Sequence, residues 1–557
     1  MTEAKADADA DVDVVIVGAG FAGIYMLIKA RQLGLRARVI EAGPSVGGTW
    51  FWNRYPGARC DFPSVDYSYE FDDELQTSWQ WTERYPAQPD ILAYLNHVVD
   101  RHDLRRDIVL ERRVTSAHLD ETTGLWRVAF SGGGERDEIT GRYAVLAVGA
   151  LSAPRIPDFP GLDSFQGEIH STANWPTEPV SARGKRIAVL GTGSSGIQII
   201  PELARDADQL LVLQRTPAFV VPARNRPRDA AEHAAFVAER AAYRAKARAA
   251  FQGVYHFDSA GPSALAASAD ERERLFEERW AAGGGGITGS YDDILTNKAS
   301  NDLLADFLRR KIAEAVDDPR VAAALMPTDY PVGSRRIVVG TDYYETYNLP
   351  QVELVNLRES PIERVTPTGI VVGGEERPID MLVFATGFDA LTGAILAIDI
   401  QGRGGESMKD AWQAGPQTYL GLQVSGFPNL FVVAGPGSPS VMSNLVRSIE
   451  QHVDWIGDLL GYMDERGLRS VEPSRAAERE WVRHTAEVAD RTLLPTASSW
   501  YLGANVPGKP RVFMPYLGGV PAYRAICDDV ARDGYRGFEF TGVRSDAPAA
   551  TEGALHA

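Results

Sequence analysis

The chain has 557 residues, 44% hydrophobic and 24% charged, as in a globular protein with a sizeable core. At about 150 residues per domain, this length predicts three or four domains. Lys and Arg total 57 against 75 Asp and Glu, a net charge of −18 that disfavours nucleic acid and anionic membranes as partners. The two cysteines, Cys60 and Cys527, lie far apart, which argues against a disulfide scaffold, a zinc ribbon and a dithiol reductase.

The termini and the hydropathy pattern indicate a soluble protein. No apolar stretch is long enough to span a bilayer, and residues 1–11 lack the basic and apolar regions of a signal peptide. Residues 1–11 and 545–557 are predicted to be solvated tails. We therefore expect a cytoplasmic protein without a metal site, either a monomer or a weak homo-oligomer.

The first folded segment contains a glycine-rich turn between a strand and a helix. In VDVVIVGAGFAG, β-branched residues give way to Gly18, Gly20 and Gly23, and a helix is expected to follow to about Leu33. A second strand, RARVIEAG, carries Glu41. In such a unit the helix N-terminus faces a dinucleotide pyrophosphate, which glycine allows the backbone to approach.

The same pattern returns in the middle of the chain. KRIAVLGTGSSGIQ predicts a strand, then Gly191, Gly193 and Gly196, and then a helix to about Ala204 before the strand QLLVLQRTP. One GxGxxG match is weak evidence, but two in full strand–helix–strand context predict two dinucleotide sites.

The two copies differ at the end of their second strands. The first has Glu41, whose carboxylate can accept a hydrogen bond from a ribose 2′-hydroxyl, whereas the second has Gln214 followed by Arg215 and Thr216. A guanidinium suits a 2′-phosphate, which a carboxylate would repel. The first site is thus predicted to bind a non-phosphorylated dinucleotide and the second NADPH. The alternative for Arg215 is a solvated cation at a strand end.

Longer motifs link the whole chain to a known family. They are GGTW at Gly47 to Trp50, the ATG triplet at Ala385 to Gly387, WFWNRYPGARCD, RTPAFVVPARN, DYYETYN, ATGFDALTG and ASSWYLGANVPGKPR. With them the chain resembles the type I Baeyer–Villiger monooxygenases, which are class B flavoprotein monooxygenases, and most closely the phenylacetone and steroid monooxygenase branch. The resemblance runs from Asp13 to about Thr541.

This resemblance implies an α/β fold with two Rossmann-like dinucleotide-binding domains and a helical insertion. The expected segments are 12–150 and 380–544 for a discontinuous FAD domain, 151–225 and 327–379 for the NADP domain, and 226–326 for the insertion.

It also implies an activity that uses FAD, NADPH and O2. NADPH would reduce the flavin, and a flavin peroxide would convert a hydrophobic ketone into an ester or lactone by inserting oxygen next to the carbonyl. Sulfides are a further possible substrate class. Two alternatives remain open, another class B hydroxylase that acts on nitrogen or sulfur and a non-catalytic flavin-binding regulator.

The resemblance assigns site residues as well. Arg336 would stabilise the anionic peroxide, because arginine keeps its proton, and Asp61 would pair with it. Without the family, both would be ordinary loop residues. The remaining assignments are Glu41, Gly48, Thr49 and Trp50 at the flavin; Arg215, Thr216 and Arg335 at the NADP phosphate; Trp500 over the bound NADP; and Ser440, Val441 and Met442 in the substrate pocket.

One family fingerprint departs from its usual pattern. Phe165, Gly167 and Trp175 are in register, but Ser171 occupies the histidine position and His170 precedes it. In extended backbone a shift of one residue directs a side chain to the opposite face. Either Ser171 makes a weaker hydrogen bond, or a displaced backbone lets His170 reach the same place. The coupling of the two domains, rather than flavin binding, depends on which occurs.

Overall fold

The computed structural model describes residues 10–132, 135–254, 259 and 261–543. The expected tails, 1–11 and 545–557, lie outside the described residues except for residues 10 and 11. The Asp11 carboxylate accepts a hydrogen bond from the Thr140 backbone N–H at 2.8 Å, which attaches this residue to the folded part of the chain. No helix in this described part of the chain is long and apolar enough to cross a membrane.

The twenty strands of the described residues are β1 (Val12–Val17), β2 (Ala37–Ile40), β3 (Ile108–Val109), β4 (Arg113–Asp120), β5 (Leu125–Gly132), β6 (Glu135–Leu146), β7 (Glu168–Ser171), β8 (Arg186–Leu190), β9 (Gln209–Gln214), β10 (Val220–Pro222), β11 (Val338–Gly340), β12 (Val352–Asn356), β13 (Ile362–Thr366), β14 (Gly369–Val372), β15 (Glu375–Pro378), β16 (Met381–Phe384), β17 (Asp399–Gln401), β18 (Leu430–Val432), β19 (Leu468–Pro473) and β20 (Phe538–Val543). The helices of the same residues are α1 (Phe21–Gln32), α2 (Thr49–Trp52), α3 (Asp73–Ser78), α4 (Gln88–Arg101), α5 (Ser194–Ala204), α6 (Ala230–Ala249), α7 (Ala269–Ala282), α8 (Lys298–Ala315), α9 (Pro319–Leu325), α10 (Gly393–Leu396), α11 (Met408–Ala411), α12 (Leu445–Glu465), α13 (Arg475–Asp490) and α14 (Val520–Arg532).

The first sheet has eight strands around a parallel core in the order β3–β2–β1–β6. The long strand β6 pairs antiparallel with β5 along its first half and parallel with β18 along its second half. Helices α1, α4, α12 and α14 cover one face of this sheet. The opposite face packs on a second cluster that contains the fully buried Trp126, whose indole N–H donates to the Pro428 carbonyl at 2.8 Å.

The second sheet has five parallel strands in the order β12–β9–β8–β16–β7. Helices α5, α8 and α9 pack on one face, and the antiparallel strands β13–β15 cover the other. The predicted α/β class with two Rossmann-like units is confirmed.

The expected domain boundary at residue 380 is wrong by several residues. Strand β16 hydrogen bonds to β8 on one side and to β7 on the other, and all four of its residues are buried. It is therefore a central strand of the second sheet. The chain returns to the first unit only after the ATG triplet, and Ile395 already packs in the core beneath the first sheet.

The insertion contacts both units. Helices α7 and α8 share a core in which the rings of Phe276 and Phe307 lie 5.4 Å apart, while Ile312 of α8 joins the core of the second sheet. Helix α6 contacts the first unit instead. Its buried Arg244 donates a hydrogen bond to the Ser68 hydroxyl at 3.0 Å. The insertion thus connects the two units.

Close helix–strand packing requires the last glycine of each glycine-rich turn. A Cβ at Gly23 would lie 1.8 Å from the carbonyl oxygen of Gly18, and one at Gly196 would lie 2.1 Å from that of Gly191. Each of these carbonyls belongs to the residue directly after a strand, so the helix would have to move away from the sheet.

We predict that Gly196→Ala lowers the midpoint of thermal unfolding by several degrees, because its methyl group overlaps the Gly191 backbone. Circular dichroism on heating measures this. Gly193→Ala is the matched control, since its φ is −84° and no described atom lies within 4 Å of its Cβ position. Equal midpoints for the two variants would contradict this account of the turn.

Candidate active site

Arg336 and Asp61 form a bidentate ion pair between the two units. The Arg336 Nε donates to one Asp61 carboxylate oxygen at 2.7 Å, and its Nη2 donates to the other at 2.8 Å. The Nη1 donates to the Val441 carbonyl oxygen at 2.9 Å. About a quarter of each charged side chain remains exposed, 26% for Arg336 and 23% for Asp61. The structure thus brings these two predicted residues together.

The surroundings of Arg336 keep it a cation. Burial lowers the pKa of Arg336, but the charge and hydrogen bonds of Asp61 outweigh burial and leave the pKa above its ordinary value. The buried Tyr501 lies close enough to Arg336 for the two groups to interact electrostatically, and burial raises the pKa of Tyr501 to about 12. Tyr501 is therefore a neutral neighbour. It is not among the predicted site residues, although it follows Trp500 directly.

The end of β9 carries the residues that distinguish the second glycine motif from the first. The buried Gln214 amide donates to the Ala324 carbonyl at 2.8 Å, so this position presents no carboxylate. Arg215 is exposed beyond it. The Thr192 hydroxyl of the glycine turn donates to the Thr216 carbonyl at 3.1 Å, which attaches the turn to this edge of the sheet.

Arg335 approaches the same edge from another part of the second unit. Its Nη2 donates to the Ser498 carbonyl at 2.6 Å, and its guanidinium lies 5.2 Å from the centre of the Tyr330 ring. Burial lowers the pKa of Arg335, and the nearby positive charges of Arg215 and Arg358 act in the same direction. Three guanidinium groups therefore lie near one another, an arrangement suited to an anion.

Arg358 is not among the predicted site residues. Its Nη2 donates to the Thr216 hydroxyl at 3.3 Å and to the Asp329 carboxylate at 2.6 Å. It lies two residues beyond β12, the strand that pairs with β9. Because parallel strands end at the same edge of a sheet, a search for basic residues after each strand would have found it.

Glu41 links the end of β2 to the first glycine turn. Its buried carboxylate accepts hydrogen bonds from the backbone N–H groups of Ala19 and Gly43, each at 2.7 Å. Burial raises the pKa of Glu41, and these two hydrogen bonds partly offset the increase. A carboxylate oxygen has more than one lone pair, so both oxygens can still accept from ribose hydroxyls.

The glycine turns fit the two dinucleotides that the sequence predicts. A Cβ at Gly20 would touch only the Gly48 backbone, at 3.5 Å, and a Cβ at Gly193 would touch no described atom within 4 Å. Both turns thus leave the backbone open at the N-terminus of a helix, as a pyrophosphate requires. Thr49, at the start of α2, is exposed.

Trp50 lies in the core of the first unit. Its indole N–H donates to the Tyr67 hydroxyl at 3.1 Å, and the two rings meet edge to face. Trp50 therefore packs against the aromatic core, and its contact with the flavin stays a prediction.

The segment Ser440–Met442 forms a single 3-10 turn next to Arg336. Ser440 has a φ of 41°, and its hydroxyl donates to the Ala434 carbonyl at 3.1 Å. Val441 is buried in a cluster with Tyr501, and Met442 packs against the same cluster. This turn therefore presents an apolar surface near the Arg336 guanidinium.

Trp500 is half-buried, and its ring centre lies 4.3 Å from that of Tyr501. The rest of its loop is attached to the ATGFD segment, because Lys509 pairs with Asp389 and the Asn505 side chain donates to the Phe388 carbonyl at 2.7 Å. A single loop thus packs with Val441, beside Arg336, and contacts the connection between the units.

The fingerprint residues form the edge strand β7 and the loop after it. His170 lies 3.1 Å from the Glu168 carboxylate, and its ring centre is 5.1 Å from that of Trp175. The Ser171 hydroxyl accepts from the Ala173 N–H at 3.3 Å, so it bonds within its own loop. It is therefore His170 that reaches the fingerprint tryptophan.

The start of the fingerprint packs on the second sheet. Phe165 lies against the core beneath β13–β15, and a Cβ at Gly167 would lie 2.4 Å from the Asp380 carbonyl oxygen. The glycine therefore allows the strand to approach this backbone.

Comparisons with known proteins agree with this arrangement. Residues 12–248 match the family described as pyridine nucleotide-disulphide oxidoreductase. A phenazine N-monooxygenase from Lysobacter antibioticus is 43% identical over 94% of this chain and 96% of its own. A Baeyer–Villiger monooxygenase from Pseudooceanicola batsensis is 42% identical over 93% of this chain and 94% of its own. A solved steroid monooxygenase bound to NADP is 49% identical, with a TM-score of 0.91 over 95% of this chain and 99% of its own.

The fold and the paired glycine turns thus define a dinucleotide-binding flavoprotein oxidoreductase. More specifically, the chain belongs to the type I Baeyer–Villiger monooxygenases, with FAD and NADPH as cofactors. The predicted family, enzyme class and cofactors are confirmed.

Proposed function

We propose that this enzyme converts hydrophobic ketones into esters or lactones at the expense of NADPH and O2. The observation that carries the proposal is the Asp61–Arg336 ion pair, set against the apolar turn at Val441. When bound, FAD supplies the oxygen and redox chemistry, and NADPH supplies the electrons.

Arg336 is the proposed electrostatic group. Oxygen insertion develops negative charge on oxygen, and a fixed cation nearby lowers the energy of that transition state. Asp61 accepts two of the Arg336 donors, and the Val441 carbonyl accepts a third, so the guanidinium is oriented before substrate binds. Its raised pKa keeps Arg336 positively charged at neutral pH.

The remaining site residues are proposed to hold the cofactors and the substrate. Glu41 would accept from the flavin ribose, as its buried position at the end of β2 supports, and Trp500 would cover the nicotinamide cofactor. The groups proposed for FAD are Gly18, Gly20, Gly23, Glu41, Gly48, Thr49 and Trp50; those for NADPH are Gly191, Gly193, Gly196, Arg215, Thr216, Arg335 and Trp500; and those for the ketone are Ser440, Val441 and Met442.

Oxygenation of ring nitrogen is the second candidate function. The relative named phenazine N-monooxygenase is 43% identical over nearly the whole chain, and an apolar pocket would accept a heteroaromatic ring as readily as a ketone.

A cytoplasmic location is also proposed, since Cys60 and Cys527 are both buried free thiols.

The direct test is consumption of NADPH by the FAD-loaded enzyme with a panel of aryl, cyclic and steroid ketones, with products identified by mass. We expect ester or lactone formation coupled to NADPH loss for at least one ketone. A parallel panel of phenazines and sulfides distinguishes the second candidate. Hydrogen peroxide as the only product with every ketone would exclude the proposed function.

We predict that Arg336→Ala lowers ester formation by about 100-fold or more, because the oriented positive charge is lost. The FAD content, measured by absorbance, should stay unchanged. Arg336→Lys is the matched control, since it keeps the charge but cannot form the fork with Asp61, and it should retain an intermediate rate. Wild-type ester yield from the alanine variant would remove Arg336 from the mechanism.

We predict that Arg215→Ala weakens NADPH binding about tenfold, because one charge-assisted contact to the 2′-phosphate is lost. NADH binding should change little, since it lacks this phosphate. The dissociation constants of both cofactors provide the measurement. An equal loss for NADPH and NADH would show that Arg215 does not contact the phosphate.

A further inference from the structure

We infer that Arg358 is an additional specificity residue for the 2′-phosphate of NADPH. It contacts Thr216, the residue that follows Arg215, and its charge acts on Arg335. The inference rests on the proposed function, because it adds a cation to the phosphate site proposed there.

Arg358 is directed to this place by the sheet. Strand β12 pairs with β9, and just beyond it the Leu357 N–H donates to the Gln214 carbonyl at 2.8 Å. Asn356 then closes a turn, because its side-chain oxygen accepts from the Arg358 N–H at 3.1 Å while its amide donates to Glu359 at 2.7 Å. The guanidinium thus extends from a backbone that is fixed on both sides.

The cations at this edge lack matching anions. Among the described contacts of Arg215, Arg335 and Arg358, the only carboxylate partner is Asp329. The Arg335 Nε is buried and has no hydrogen-bond partner, which indicates that an acceptor is missing next to it. A phosphomonoester carries close to two negative charges at neutral pH and offers three acceptor oxygens. The charge and the acceptor oxygens of a phosphomonoester therefore match the excess of positive charge and of hydrogen-bond donors at this edge.

Asp329 sets the position of the Arg358 head group. The ion pair is about half exposed, with 48% of the Arg358 and 44% of the Asp329 side chain accessible. Asp329 is itself held in place, because the hydroxyl of its neighbour Tyr330 donates to the Pro217 carbonyl at 2.8 Å. An exposed pair of this kind contributes little to stability, so a variant at Arg358 should fold normally.

The test measures binding to the FAD-loaded enzyme by calorimetry, without turnover. Two pairs of probes differ only by the 2′-phosphate, NADP⁺ against NAD⁺ and adenosine 2′,5′-bisphosphate against 5′-AMP. For Arg358→Gln we expect the dissociation constants of both phosphorylated probes to rise about tenfold, as for loss of one charge-assisted hydrogen bond. Those of NAD⁺ and 5′-AMP should stay within about twofold. Arg358→Lys should recover part of the loss, because it restores the charge.

Arg377→Gln is the matched control. Arg377 is also a basic residue of the second unit in an exposed ion pair, here 3.1 Å from Glu353 of β12, but no described contact joins it to Thr216. This variant should bind all four probes as the wild type does. An equal effect of Arg377→Gln, or equal weakening of NADP⁺ and NAD⁺ by Arg358→Gln, would overturn the inference.

Arg215→Ala in the same series separates the inference from the proposed function. If Arg215→Ala selectively weakens the phosphorylated probes and Arg358→Gln does not, only the role of Arg358 is refuted. If neither variant affects the phosphorylated probes selectively, the phosphate site itself has been placed wrongly.

Discussion

The two hydrogen bonds between Asp61 and Arg336 join residues 275 positions apart and fix the geometry of the candidate active site. Each partner belongs to a different unit, so the pair forms only when the two sheets are correctly docked. The third bond, to the Val441 carbonyl, attaches the same guanidinium to the apolar turn. A charge held by three acceptors needs little reorganisation when negative charge develops beside it, which is the physical basis of electrostatic catalysis.

The rest of the molecule maintains this docking. The helical insertion contacts both units, through the Ser68 hydroxyl on one side and the core of the second sheet on the other. The Trp500 loop adds a second connection. It contacts Arg335 through the Ser498 carbonyl, and its Tyr501 packs in one cluster with Val441, whose carbonyl accepts from Arg336. One loop therefore lies against both the proposed phosphate site and the proposed oxygenation site.

The parts of the fold that depend on local pattern could be predicted from the sequence. The helix expected to reach Leu33 ends at Gln32, and the helix expected to reach Ala204 ends at that residue. Both predictions succeed because the glycine spacing and the apolar runs that define these helices are local features of the sequence. Strand β16 was assigned to the wrong unit, because four apolar residues fit either sheet and only distant pairing decides. Tyr501 and Arg358 were missed for the same reason, since loop positions and strand order determine their contacts.

The division of the site between two units has a consequence for recombination among relatives. An exchange of residues 151–384 would transfer the whole second sheet, including β16, with the three arginines at its edge (Arg215, Arg335 and Arg358) as one block. Cofactor preference should therefore be inherited with that block. Arg336, by contrast, would pair with the aspartate at position 61 and the carbonyl at position 441 of the other parent. The catalytic activity of such a hybrid therefore depends on how well the interface between the two parental segments preserves these hydrogen bonds.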